Sequence, residues 1–262
     1  MKIEVLVSTM HQGDLSIADK MNIKGNAIII NQCDTNSYIE RKEDNRYIRM
    51  YSFDERGVGK SRNNALMRSD ADVCVMADDD IVYVGNYEEL IIKGFEKNPK
   101  ADMIMFNAPN TDKSKYRLKV KKSGRIRFYN YFKFGTINIA FKREKILKSN
   151  IFFSLLFGGG ARYSSGEDSL FIADCLKNGV KIYGDTSKIA EIHQNRDSTW
   201  FTGFNEKYFF DRGALFGALS RKLSWVLILQ FAVRKHSMYK NELSFREALK
   251  YMWRGLKHYR TQ

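Results

Sequence analysis

Short apolar runs recur through the first 110 residues, at Ile3 to Ser8, Ala27 to Asn31, Tyr47 to Tyr51, Val73 to Ala77 and Met103 to Phe106. Longer polar stretches of helical character separate them. The runs are β-branched and nearly all apolar, as strands are when helices cover both faces of a sheet, and the rhythm predicts a largely parallel α/β sheet. Ligands of such sheets collect at the carboxyl ends of the strands. The polar residues to inspect are therefore Thr9, Asp34, and Asp78 with Asp79 and Asp80.

Beyond this region the pattern changes. Lys113 to Arg127 is basic and predicts a surface hairpin or flexible loop, followed by element signals at Lys142 to Ser149, Asp168 to Asn178 and Val180 to Tyr183. From Glu206 onward the chain reads as amphipathic helix, with Tyr239 to Tyr259 as the last one. This divides the chain into a catalytic domain over 1–200 and a basic helical extension over 201–262. The longest uncharged run there, Leu223 to Val233, is too short to cross a bilayer. Residues 209–262 suit the interface of an anionic membrane, or packing on the catalytic domain or on a second subunit.

With 262 residues, 44% hydrophobic content and 2 prolines, the chain can bury a core of its own. Cys33, Cys74 and Cys175 form no CxxC pair, which excludes a zinc ribbon and gives no disulfide framework. The first strand begins at Ile3 with no signal-peptide pattern ahead of it, and a cytoplasmic location is expected. A net charge of +14 calls for an anionic partner: nucleic acid, anionic lipid or a phosphorylated substrate. The last 62 residues carry twelve basic side chains against four acids.

Three motifs carry candidate chemistry. A buried strand ends in Asp78-Asp79-Asp80, where crowded like charges invite a hard divalent cation, Mg²⁺ or Mn²⁺; an acidic helix cap is the plainer alternative. Arg56 to Asn63 is a glycine-flanked basic loop opening a helix, in which Gly57 and Gly59 permit close backbone approach and Lys60 and Arg62 can meet phosphate. It lacks the spacing of a Walker motif. Gly158-Gly159-Gly160 leads into Glu167-Asp168 at the start of a helix, either a dipole-stabilised cap or a catalytic pair. His11 follows the first strand and could touch a nucleotide, while His236 and His258 read as solvated surface. Trp200, in the loop from Asn195, could stack on a sugar or anchor the core.

In combination these motifs resemble the nucleotide-binding half of family 2 glycosyltransferases of the GT-A fold. The order is a first strand ending at Ser8-Thr9, a second at Asp34, the Arg56–Asn63 loop and then Ala77-Asp78-Asp79-Asp80. The resemblance implies a Rossmann-like nucleotide-binding sheet flanked by helices, with Thr9, Asp34, Gly59, Lys60, Arg62, Asn63, Asp78 and Asp79 around the nucleotide. It further implies metal ligation by Asp78, Asp80 and His193, with Asp80 preferred as the direct ligand. Asp168 becomes the general base of an inverting transfer, with Glu167 beside it in acceptor binding. A nucleotide-sugar donor, in family tendency a UDP-sugar, and a glycan or lipid-linked acceptor in bacterial surface polysaccharide synthesis follow from the same likeness. Asn31-Gln32-Cys33-Asp34 departs from the acidic run usual at that point in the family.

Two rivals remain from the residues alone. The same carboxylates and basic loop would serve a nucleotidyl- or phosphotransferase. A nucleic-acid binder would explain the pI and the Lys, Arg, Tyr and Phe mixture between Lys113 and Phe134, but has no use for the acidic cluster. No nucleic-acid partner is expected on that ground.

Overall fold

Each of the five apolar runs is a strand in the computed structural model, which describes residues 1–43, 46–193 and 203–261. The strands are β1 (Ile3–Met10), β2 (Asn26–Cys33), β3 (Ser37–Glu43), β4 (Arg46–Asp54), β5 (Val73–Asp78), β6 (Ile81–Tyr83), β7 (Met103–Asn107), β8 (Gly124–Arg125), β9 (Ile139–Lys142), β10 (Ile182–Lys188) and β11 (Ala190–Ile192). The helices are α1 (Ser16–Lys20), α2 (Val58–Arg68), α3 (Tyr87–Lys97), α4 (Arg143–Lys148), α5 (Glu167–Lys177), α6 (Glu206–Leu219), α7 (Ser224–Tyr239) and α8 (Phe245–Arg260).

Among the described residues the main sheet runs β3-β4-β2-β1-β5-β9-β7-β10-β8, and β6 pairs with β11 in a separate ribbon. The pairs β4–β2, β2–β1, β1–β5 and β7–β10 are parallel. Antiparallel β9 sits between β5 and β7. Another antiparallel strand, β3, replaces the helix expected between β2 and β4. Its side chains are largely exposed and charged, so it gives no apolar run and forms a protected sheet edge.

Successive strand residues face opposite layers, and both layers are apolar. Val5, Val7 and Ile29 pack with Ile17 of α1, Met21 just after it, and Tyr87, Ile91 and Phe95 of α3. Leu6, Ile28, Ile30 and Met76 face the other way, onto Leu66 of α2 and the helices that follow. Both faces are covered, as the unbroken hydrophobic strands require.

The C-terminal helices share that second layer. Phe209, Leu215 and Phe216 of α6, Ile228 of α7 and Met252 of α8 belong to the same buried cluster as Phe141 of β9 and Phe171 of α5. The described residues beyond 203 thus share a buried cluster with that layer, and α6 meets it through α5. The backbones of α6 and α8 touch: a Cβ on Gly213 would overlap the Met252 carbonyl, and one on Gly255 the Phe210 carbonyl. The last helix starts at Phe245, six residues later than its apolar pattern suggests, because Ser244 and Glu247 cap each other's backbone there. Tyr239 instead closes α7 by donating its hydroxyl proton to the Ala232 carbonyl at 2.8 Å. No helix among the described residues is long and apolar enough to cross a membrane.

Candidate active site

Parallel pairing of β1 with β5 sets Ser8 opposite Asp78, so the acidic triplet emerges beside the end of the first strand. Thr9 donates from its hydroxyl to Asp79 Oδ2 at 2.7 Å and accepts from Gln12 Nε2 at 3.1 Å. Ser61 of α2 donates to the Ser8 hydroxyl at 2.9 Å, fixing that helix over the same strand end. Asp34 lies exposed beyond β2, where Arg56 reaches both its carboxylate, at 2.8 Å, and the Cys33 carbonyl, at 3.0 Å. His11 is exposed beyond β1, in the left-handed region at φ 53°.

The centre of the arrangement is Arg62, whose side chain is only 4% exposed. Nη2 donates to Asp78 Oδ1 at 2.9 Å, and Nη1 donates to Glu167 Oε1 at 2.9 Å and Asp168 Oδ1 at 2.8 Å. The Phe153 ring lies 5.4 Å from the guanidinium carbon. Burial acts to discharge the guanidinium, but the three carboxylates outweigh it and raise its pKa above the usual value. Its donors serve protein carboxylates. Lys60, two residues earlier, projects from another side of α2 and is half exposed, 3.5 Å from Glu55.

One guanidinium cannot balance three ionised carboxylates. Glu167 is the most buried of them, and burial followed by the neighbouring charge of Asp168 raises its pKa well above the ordinary carboxylate range, with Arg62 opposing. Its second oxygen accepts from the Gly166 N–H at 3.0 Å. Asp168 keeps 30% of its side chain exposed. Oδ2 accepts from the Thr136 N–H at 3.1 Å and Oδ1 from the Thr136 hydroxyl, so its plane is fixed from two sides. A carboxylate held this way and open to solvent on one edge can take a proton from a bound hydroxyl.

Neither Thr136 nor Lys119 announces itself in the sequence. Lys119 donates to Asn138 Oδ1 at 3.0 Å, and a Cβ added to Gly135 would lie 3.0 Å from Asp168 Oδ2 and 4.0 Å from Lys119 Nζ. Burial lowers the pKa of this ammonium, and Asp168 pulls the other way. Lys119 is one of many lysines in a basic run, and Thr136 sits in a short turn with no motif around it.

The two glycine motifs meet. The Val58 N–H donates to the Gly159 carbonyl at 2.9 Å, and a Cβ on Gly160 would stand 3.0 Å from the Gly57 nitrogen. Gly59 lies so close to the Ser154 carbonyl that no side chain fits. Asn63 is a brace within this contact, with both ends of its amide bonded to the Phe153 backbone at 2.8 and 2.9 Å. His258 is no solvated residue: Nδ1 meets the Tyr163 hydroxyl at 3.0 Å and Nε2 meets Arg162 at 2.7 Å. Trp200 and the loop from Asn195 lie outside the described residues.

The backbone of His193 meets the acidic triplet, and its Nε2 lies 3.7 Å from Glu191 Oε2. Ribbon pairing of Ile192 with Ile81 carries its N–H to the Asp80 carbonyl at 2.8 Å. Asp78 has one oxygen committed to Arg62. Among the described residues no three His, Cys, Asp or Glu side chains stand close enough to share an ion. Asp80 and His193 still offer an oxygen and an imidazole donor on adjoining backbone, and a hard cation held by one or two carboxylates fills its other positions from phosphate and water.

No family model matches the chain, and no curated protein sequence matches it. Solved structures do. TarS 1-349 from S. aureus superposes with a TM-score of 0.65 at 12% identity, covering 100% of this chain and 90% of the other. Its complex with UDP-GlcNAc gives 0.66 at the same identity and coverage. The mannosyltransferase PcManGT from Pyrobaculum calidifontis, in complex with GDP-Man and Mn²⁺, gives 0.52 at 12% identity over 99% of this chain and 75% of the other. The likeness establishes the fold: a mixed α/β chain with a large central sheet flanked by helices, shared with these glycosyltransferase structures.

Proposed function

We propose that the chain is a glycosyltransferase that moves a sugar from a nucleotide-activated donor to an acceptor hydroxyl, with inversion at the anomeric carbon. The observation that carries this reading is Asp168, fixed by Arg62 and Thr136 near the strand end that bears Asp78. The shared fold adds support, since TarS was solved with UDP-GlcNAc and PcManGT with GDP-Man.

In this reading Thr9, Asp34, Gly59, Lys60 and Asp79 border the nucleotide, with a UDP-sugar as donor. Asp80 and His193 would hold Mn²⁺ or Mg²⁺, whose chemistry when bound is stabilisation of negative charge on a diphosphate. Asp78 and Glu167 anchor Arg62, which orients Asp168. As the new bond forms to the acceptor oxygen, Asp168 takes its proton, and the sugar–phosphate bond breaks with the electron pair leaving on the diphosphate. No covalent intermediate is required. The acceptor is a hydroxyl of a glycan or lipid-linked saccharide of the kind used in bacterial surface polysaccharides.

Calorimetric titration of UDP and GDP with Mn²⁺, repeated in EDTA and with Asp80→Ala, tests this. Metal-dependent UDP binding that Asp80→Ala abolishes is the expected outcome. A folded protein that binds neither nucleotide would refute it, and release of pyrophosphate from a nucleotide substrate would assign the same residues to nucleotidyl transfer.

A further inference from the structure

Among the described residues, none covers the outward face of α7. The helix buries Ile228, Ala232 and Tyr239 against the core, while Trp225, Leu229 and Val233, four residues apart, are 55%, 47% and 61% exposed. Val226 widens this stripe, and Leu223, 58% exposed, extends it past the helix start. Solvated apolar residues are ordinarily scattered, and a contiguous stripe marks an interaction surface.

Charge decides what covers it. The helix contains no acid; Arg221 and Lys222 precede it, and Arg234, Lys235 and Lys240 lie at its far end. The next two acids along the chain are engaged: Glu242 accepts the Phe204 N–H at 2.8 Å, and Glu247 caps α8. A second copy laid symmetrically on this stripe would bring like-charged ends together with no acid on the helix to offset them. Anionic lipid headgroups reverse that balance, and the apolar stripe with its tryptophan enters the acyl boundary.

We propose that α7 docks the protein, lying flat, on an anionic membrane surface through Trp225, Val226, Leu229 and Val233, with Arg221, Lys222 and Arg234 on the headgroups. The proposal is independent of the transferase reading, because binding is measured without turnover.

Co-sedimentation of the full chain with vesicles of phosphatidylcholine plus phosphatidylglycerol, and of phosphatidylcholine alone, tests it. Binding to the anionic vesicles alone is expected, weakened at least about tenfold in Leu229→Ser/Val233→Ser and by raised salt. Arg221→Gln/Lys222→Gln should weaken it as well. Circular dichroism melts confirm that these exposed substitutions leave the fold intact. Equal binding to both vesicle types, or full retention in the Leu229→Ser/Val233→Ser variant, overturns the proposal. So does a dimer in sedimentation velocity that Leu229→Glu dissociates while wild type ignores vesicles, which would give the stripe to a second copy.

Discussion

Arg62 and Asp168 are separated by 106 positions in the chain and joined by a 2.8 Å hydrogen bond between Nη1 and Oδ1. The bond links the helix after the basic glycine loop to the first turn of α5, so one buried guanidinium ties the two halves of the site together. Removing it leaves Asp78, Glu167 and Asp168 facing one another. Arg62→Met should lower stability at neutral pH by about 2–3 kcal/mol, below the full cost of a broken buried pair because Asp78 and Asp168 are partly solvated. Urea unfolding measures this. Arg62→Lys should recover little, since an ammonium lacks the fork that spans three carboxylates, and near wild-type stability in either variant would remove Arg62 from its central place.

Asp168→Asn keeps the shape of the side chain and loses its basicity. The expected result is a fall in kcat of about 10²–10⁴-fold with nucleotide affinity unchanged. Thr136→Val, which removes one of the hydrogen bonds that orient Asp168, should cost about tenfold in kcat. Full activity in Asp168→Asn would place the base elsewhere.

Glu167 makes stability depend on pH. Burial first, and the charge of Asp168 second, raise its pKa above the ordinary 4.5. The folded state then retains a proton that the unfolded chain releases, so this contribution is complete below the ordinary value and is lost as pH climbs through the raised one. Glu167→Gln has no such proton. Between about pH 5 and about pH 8 the wild type should therefore lose melting temperature relative to Glu167→Gln; parallel curves for the two proteins would mean that Glu167 is ionised throughout.

Gly158 adopts φ +108°, and a Cβ there would stand 2.6 Å from Val58 and 2.8 Å from the Glu167 carboxyl carbon. Gly158→Ala combines backbone strain with overpacking beside the site and should destabilise by about 2–4 kcal/mol. Gly159→Ala is a built-in control, since nothing lies within 4 Å of its added Cβ. A thermal shift no larger for Gly158→Ala than for Gly159→Ala would contradict this account.

Local pattern was enough to locate the strands that form the parallel part of the sheet, because burial on both faces leaves unbroken runs such as Val73 to Ala77. It was not enough for β3, whose exposed charged residues give no run, or for β9, whose four residues merge into Ile137 to Lys142. The site shows the same division. The Glu167-Asp168 pair and the acidic triplet stand out as clusters, and His193 was placed through the family likeness. The protein partners of Arg62 and Asn63 are not legible in the sequence, because a cation or an amide in a glycine loop looks alike whether it faces a ligand or a group far along the chain. Thr136 and Lys119 acquire their importance only from what the chain folds against them.

The position of β9 has a bearing on how the protein is made. Strands β3, β4, β2, β1 and β5 are all complete by Asp78, yet β7, finished at Asn107, has no neighbour until Ile139–Lys142 inserts between it and β5. During synthesis two unfilled hydrogen-bonding edges must wait for about thirty residues, β8 among them, to leave the ribosome. That interval is when a nascent sheet is open to pairing with other chains. Substitutions in β9 should therefore lower the yield of protein from the cell more than they lower the stability of the molecules that finish folding.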